Sequence, residues 1–229
     1  MTIIGSWSWE GFIPAVVPPS DTYTADSSVS FVTSIDSPTL PALGAGEAWL
    51  VSVGVMGSGS GYLQPSITAD LGGTVTPMAE VAAWWNQPIG SRQFIVSGPT
   101  SAGVLTATVA SGRLMIISAT KVAGFASSPN QIAAAGGYSG DGSGAPVATL
   151  PGAALSGTSG IILANFSSGP AQGLAQVESG WTVLAVATVF GAFGLDLVTA
   201  WRYSNGDNTA QNVSNTTQQT IGISEIAVL

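Results

Sequence analysis

The stretch that most constrains this chain is Ser111-Gly-Arg-Leu-Met-Ile-Ile-Ser-Ala-Thr-Lys-Val-Ala-Gly124. A glycine stands at each end, and Leu114 to Val122 between them is almost wholly apolar or small. That span is too short for a membrane helix and rich in β-branched residues, so it predicts a strand covered on both faces. Similar runs flank it: Ala48–Val55, Glu80–Trp85, Gln93–Ser97, Leu105–Val109, Ile161–Phe166, Trp181–Phe190, Leu197–Tyr203 and Ile221–Leu229. Clusters of Gly, Pro, Ser and Asn separate them. Short strands at this spacing predict an all-β chain folded as an antiparallel β-sandwich. No helical periodicity is sustained anywhere, and Gln131–Ala135 offers one turn at most.

The domain boundary is expected near residue 45. Residues 1–45 are punctuated by Pro14, Pro18, Pro19, Pro38 and Pro41, and Trp7, Trp9 and Phe12 lie near the start. Proline at this density interrupts pairing and favours extended backbone. Two readings stay open: an extended Pro-rich N-terminal arm whose aromatics dock on another subunit, or first strands folding onto their own domain. Residues 46–229 form the expected sandwich domain. Within it, Gly136–Gly144 reads as a glycine-rich loop, and Gly191–Leu195 as the turn of a hairpin returning through Leu197–Tyr203. Asn205-Gly-Asp-Asn208 supplies a further turn.

Charge narrows the function. Charged residues make up 7% of the chain, against about 25% in ordinary soluble domains. Four cations against twelve acids give a net charge of −8. Such a chain cannot neutralise a row of phosphates, so neither nucleic acid nor an anionic membrane is an expected partner. Trp181–Leu195 is uncharged but shorter than the ~20 residues a spanning helix needs, so no membrane insertion is expected. Nothing resembling a secretory signal opens the sequence, which points to synthesis in a cytoplasm.

Catalytic chemistry is poorly supplied. The chain has no His and no Cys, which excludes His-based triads, thiol nucleophiles and His or Cys metal ligands. Acidic residues such as Asp70, Glu80, Asp141, Glu178, Asp196 and Asp207 sit mostly at expected turns or strand ends. The chain is therefore not expected to be an enzyme or to hold a cofactor or metal. Arg113 and Lys121 are expected to reach solvent or pair with a carboxylate.

Sheet edges are ordinarily protected by Lys and other charges, which this chain lacks. Either proline and bulges protect the edges instead, or neighbouring subunits cover them, and burial against like subunits is the expected arrangement. The aromatics Trp84, Trp85 and Tyr203, with Trp7, Trp9 and Phe12, are the candidate interface or glycan contacts. Asn86, Gln87, Asn205 and Asn208 stand near them as possible sugar-bonding amides.

Read in order, Gly46-Glu-Ala-Trp-Leu-Val-Ser-Val-Gly-Val55, Ala82-Ala-Trp-Trp85, Val122-Ala-Gly-Phe125, Gly180-Trp-Thr-Val-Leu184 and Trp201-Arg-Tyr203 form one pattern. It resembles the jelly-roll-like β-sandwich domains of bacteriophage and gene-transfer-agent virion structural proteins. The resemblance covers residues 46–229 and carries strand grammar rather than catalytic residues. It implies a virion part, made in the host cytoplasm: a capsid decoration or head-fibre subunit contacting copies of itself, as in a trimer, and the major capsid protein. The alternative it implies is a tail-fibre or other tail-associated module that binds a receptor or host-surface glycan.

Overall fold

The computed structural model describes residues 19–28, 30–57, 63–85, 87–138, 147–150, 152, 155, 160–169, 176–189, 194–211, 213 and 218–228. At 83–85, 87–88, 125–138, 218–219 and 228 it describes backbone only. Among these residues every regular element is a strand, and no helix is long and apolar enough to cross a membrane.

The first sheet is built from β1 (Thr22–Asp26), β2 (Val32–Asp36), β3 (Glu47–Met56), β4 (Ser66–Ala69), β5 (Thr74–Trp85), β6 (Gln87–Ser97) and β7 (Leu105–Ala123). Its main path runs β1-β7-β3-β6-β5, with β2 and β4 also pairing to β7. The second sheet contains β8 (Phe125–Tyr138), β10 (Gly160–Ser168), β11 (Thr182–Val189), β12 (Leu195–Tyr203) and β14 (Gln218–Val228), in the order β11-β12-β10-β14-β8. A small pair, β9 (Val147–Thr149) with β13 (Thr209–Gln211), completes the set. All pairings are antiparallel. The chain completes one sheet before entering the other, and Gly124 alone joins β7 to β8. Its φ of 70° is a left-handed value that glycine adopts without strain.

The sheets face each other, β1 against β11, β3 and β7 against β12, β6 against β10 and β14, and β5 against β14 and β8. Each also carries a cover on its outer face. On the first sheet, β2, β4 and the first half of β7 lie over Trp49, Val51, Val53 and Phe94, with Leu40 and Leu43 buried beside them. On the second, Ala148, Leu150 and Ala210 of β9, the residue after it and β13 lie over Ile162, Ala164 and Phe166. This layering explains the sequence pattern. β3 and β10 are buried along nearly their whole length, because both of their faces are covered.

β7 shows the two regimes in one strand. From Leu105 to Val109 its residues alternate between buried and half-buried, as a strand with one wet face does. From Leu114 to Thr120 every residue is buried. Ser111-Gly112 predicts a break between these segments. The backbone instead runs through as one strand, with Gly112 leaving room for Phe31, whose Cβ lies 3.3 Å from where a side chain would begin.

Two other expectations are corrected. Gln131–Ala135 is strand, not a helical turn. Of the expected loop at 136–144, residues 139–144 lie outside the described residues, whereas Gly136, Gly137 and Tyr138 belong to β8. They are held by backbone pairing to Thr220, Gln219 and Gln218, which small residues permit. In the proline-punctuated region, β1 and β2 both pair with β7 of the same chain.

The space between the two sheets is not uniformly apolar. Ala48, Leu50, Ile95, Leu163 and Trp201 pack at one end, and Met56, Ile89, Ile116 and Leu197 at the other. Between them runs a polar layer. In the first sheet Ser118, Ser52 and Gln93 stand side by side on β7, β3 and β6. In the second, Thr199, Asn165 and Gly222 do so on β12, β10 and β14. Gln93 ties the layers together: its amide donates to the carbonyls of Leu163 and Gly222, at 3.3 and 3.4 Å, and its carbonyl accepts from the Ser224 hydroxyl. The side-chain polar atoms of Ser52, Ser91, Ser118, Asn165, Ser167 and Thr199 are buried and have no hydrogen-bond partner in the protein. A buried polar group left unpaired costs about 1–3 kcal/mol. Several together rival the ~5–15 kcal/mol that holds a typical domain folded.

Candidate functional site

The four cations all have partners within the chain. Arg92 pairs with Glu80 at 3.6 Å and Lys121 with Glu47 at 2.8 Å. Arg202 pairs with Asp207 at 2.9 Å. Arg113 was expected to reach solvent or a carboxylate. It lies buried within β7, where the bonds it donates include those to Ser111 Oγ and the Gly112 carbonyl at 3.1 and 2.8 Å, and it fills the space beside Gly57. All four cations thus serve the scaffold.

The most elaborate polar cluster surrounds Arg202, which alternation along β12 places on the outer face of the second sheet. Its guanidinium stacks over the Trp181 ring, 4.6 Å from the centroid, and donates to the carbonyls of Asp207 and Thr209 at 2.9 and 2.8 Å. Trp181 in turn donates to Glu178, which also accepts from the Gln211 backbone. The cluster fastens the turn after β12 and the strand β13 to the sheet. Burial opposes ionisation of Asp207, but hydrogen bonds from Arg202 and Thr209 outweigh it and hold its pKa below the ordinary value. Glu47 is held low by hydrogen bonds from Lys121 and the Gly44 N–H.

Both carboxyls have folded-state pKa values below their unfolded ones, so each stabilises the fold above the unfolded value. That contribution is lost as pH falls through the folded one. Denaturant midpoints are therefore expected to be level near neutrality and to fall below about pH 4. Glu47→Gln should flatten part of that fall, which a pH series of urea melts will measure.

Among the described residues no three acids lie together as a metal site would require. Glu225 is fully buried, yet its carboxylate accepts from the Leu155 N–H at 2.8 Å and the Ser204 hydroxyl at 2.6 Å. That arrangement anchors two loops.

Of the residues selected from sequence, Trp7, Trp9 and Phe12 lie outside the described residues. Trp84 and Trp85 end β5, opposite Pro88 and Gln87 at the tip of the β5–β6 hairpin. Tyr203 ends β12 in the other sheet, 36% exposed and edge-to-face with Trp201 at 4.9 Å. The amides proposed to flank Tyr203 have structural work. Asn205 Oδ1 accepts from the Asp207 N–H, and Asn208 Nδ2 donates to the carbonyls of Leu150 and Gly152.

The surface that sequence reasoning did not single out is β11, an edge of the second sheet. Its residues, Thr-Val-Leu-Ala-Val-Ala-Thr-Val, include no charge. A bulge between Val183 and Ala185 shifts the register, so that Val183 and Val186 both fall on the outer face, opposite Ala200 and Val198. They are 49% and 50% exposed. The opening edge of the first sheet is different, since β1 ends in Asp26 and is preceded by Asp21. No known protein family, characterised protein or solved structure matches this chain. Among the described strands β1, β5, β8 and β11 end the two sheet orders, and β11 is the one of these four that contains neither a charge nor a proline. One side of its backbone pairs with β12, and neither charge nor proline guards the strand.

Proposed function

We propose that this chain is a structural component of a bacteriophage particle surface, a capsid decoration or head-fibre subunit that assembles with copies of itself and has no catalytic role. The observation that carries the assembly reading is the uncharged edge strand β11 with Val183 and Val186 exposed on one face. Strand addition at such an edge supplies main-chain hydrogen bonds, and the valines supply apolar burial. Closed symmetry then hides the edge in every copy, and many weak contacts across a particle add through multivalency. The virion assignment draws on the resemblance of residues 46–229 to virion sandwich domains.

Two measurements test this. Sedimentation of the purified chain should give an oligomer, and Val186→Lys should give a monomer with an unchanged circular dichroism spectrum, because an exposed lysine on an edge opposes pairing. A wild-type chain that stays monomeric at high concentration would refute the assembly mechanism. Mass spectrometry of purified particles should detect the chain as a stoichiometric component, and its absence would refute the virion assignment.

A further inference from the structure

We infer that the polar layer between the two sheets is a binding site for a small set of ordered water molecules, which join the halves of the sandwich at mid-height. Six side chains, Ser52, Ser91, Ser118, Asn165, Ser167 and Thr199, aim buried polar atoms with no protein partner into this layer. They come from both sheets and occupy adjacent register positions, so they form one site rather than scattered defects. Hydroxyl and amide groups in this number are not left unbonded in a stable interior, and water is the ligand that serves both donors and acceptors. No charged group stands among the six, which disfavours an ion as the occupant.

Gly54 marks room for it. A Cβ at this position would sit 3.5 Å from Ser167 Oγ and 3.6 Å from Leu197 Cδ1, ordinary contact distances. A methyl-sized volume therefore lies open beside an unpartnered hydroxyl, and Ser91 is the cross-strand neighbour of Gly54. Seven unpartnered atoms on these six side chains, at about three hydrogen bonds per buried water, correspond to roughly two to four waters.

The test is oxygen-17 magnetic relaxation dispersion on the intact chain, which counts waters held longer than tumbling, combined with unfolding equilibria of two variants. The wild type should show long-lived internal water. Gly54→Ala, whose methyl fits without displacing protein, should reduce that signal. Ser52→Ala should reduce it too and shift the unfolding equilibrium toward the unfolded state by roughly fivefold, the scale of one hydrogen bond. A dry layer predicts the reverse. It would give no long-lived water in the wild type, and Ser52→Ala would stabilise the protein by removing an unbonded hydroxyl. Either result overturns the inference, and the wild-type measurement decides even where a variant does not fold.

Discussion

Replacing Gly222 with alanine is expected to lower the stability of this protein by about 3 kcal/mol, the upper end of what overpacking a core costs. Gly222 lies in β14, flanked in register by Asn165 of β10 and Ala134 of β8. The Asn165 side chain folds across it so closely that a Cβ there would collide with Asn165 Oδ1. Asn165 is itself fully buried, so turning its side chain aside disturbs the polar layer between the sheets. The effect is steric and local, which gives it a specific signature. Asn165→Ala removes the colliding atoms, so the double variant should be more stable than Gly222→Ala alone, with a coupling energy of at least ~1 kcal/mol. Urea melts of the wild type, both single variants and the double variant measure it. Additive costs would show that Gly222 is required for another reason. Gly54 provides the contrast, because it faces the same interlayer but a Cβ there would meet Ser167 and Leu197 at ordinary contact distances.

That contrast marks what was legible in the sequence. The sandwich was legible because β3, β10 and the second half of β7 are runs of β-branched and apolar residues bounded by turn formers. Such runs have few ways to hide other than as covered strands. The antiparallel pairing of β11 with β12 followed from the two apolar runs, although residues 191–193 of the expected turn lie outside the described residues. Asn205 makes a side-chain bond within the turn at Asn205–Asn208. β8 was not legible. Its Ala133-Ala-Ala-Gly-Gly137 segment has weak strand propensity of its own, and it is held by the ladder to β14, a long-range partner that local pattern does not reveal.

The polar layer was hidden by the alternation rule itself. Ser52 between Val51 and Val53, or Asn165 between Ala164 and Phe166, reads as a polar residue turned to solvent. The outer covers reverse that reading. The apolar neighbours face the covers and the polar residues face the other sheet. The uncharged edge was half visible, as a long stretch without ionic side chains. The bulge that puts Val183 and Val186 on one face depends on register and leaves no mark in the sequence. The amides near Tyr203 in sequence are consumed by the folded turn.

Arg202 was noticed only as the middle of an aromatic-basic strand, and its truncation is the second large effect expected. Arg202→Ala should destabilise the protein by about 3 kcal/mol, and the ion pair is not the main reason. Asp207 is 45% exposed at its side chain, so water screens the pair and recovers the carboxylate when the arginine is gone. The cost comes from the other side of the guanidinium. Two carbonyls, of Asp207 and Thr209, lose charged donors worth about 1.5 kcal/mol or more each. The stack on Trp181 adds about 1 kcal/mol, and some of the total is offset where the loosened turn reaches water. Arg202→Lys separates these contributions. It keeps the charge but has no planar fork to reach both carbonyls and lie flat on the indole. The lysine variant should therefore recover less than half of the loss, whereas Asp207→Asn, which keeps the carbonyls and the stack, should cost under ~1 kcal/mol. If Arg202→Lys restores wild-type stability, the site works as a simple charge pair. The fastening of β13 to the second sheet must then be sought in Glu178 and Gln211 instead.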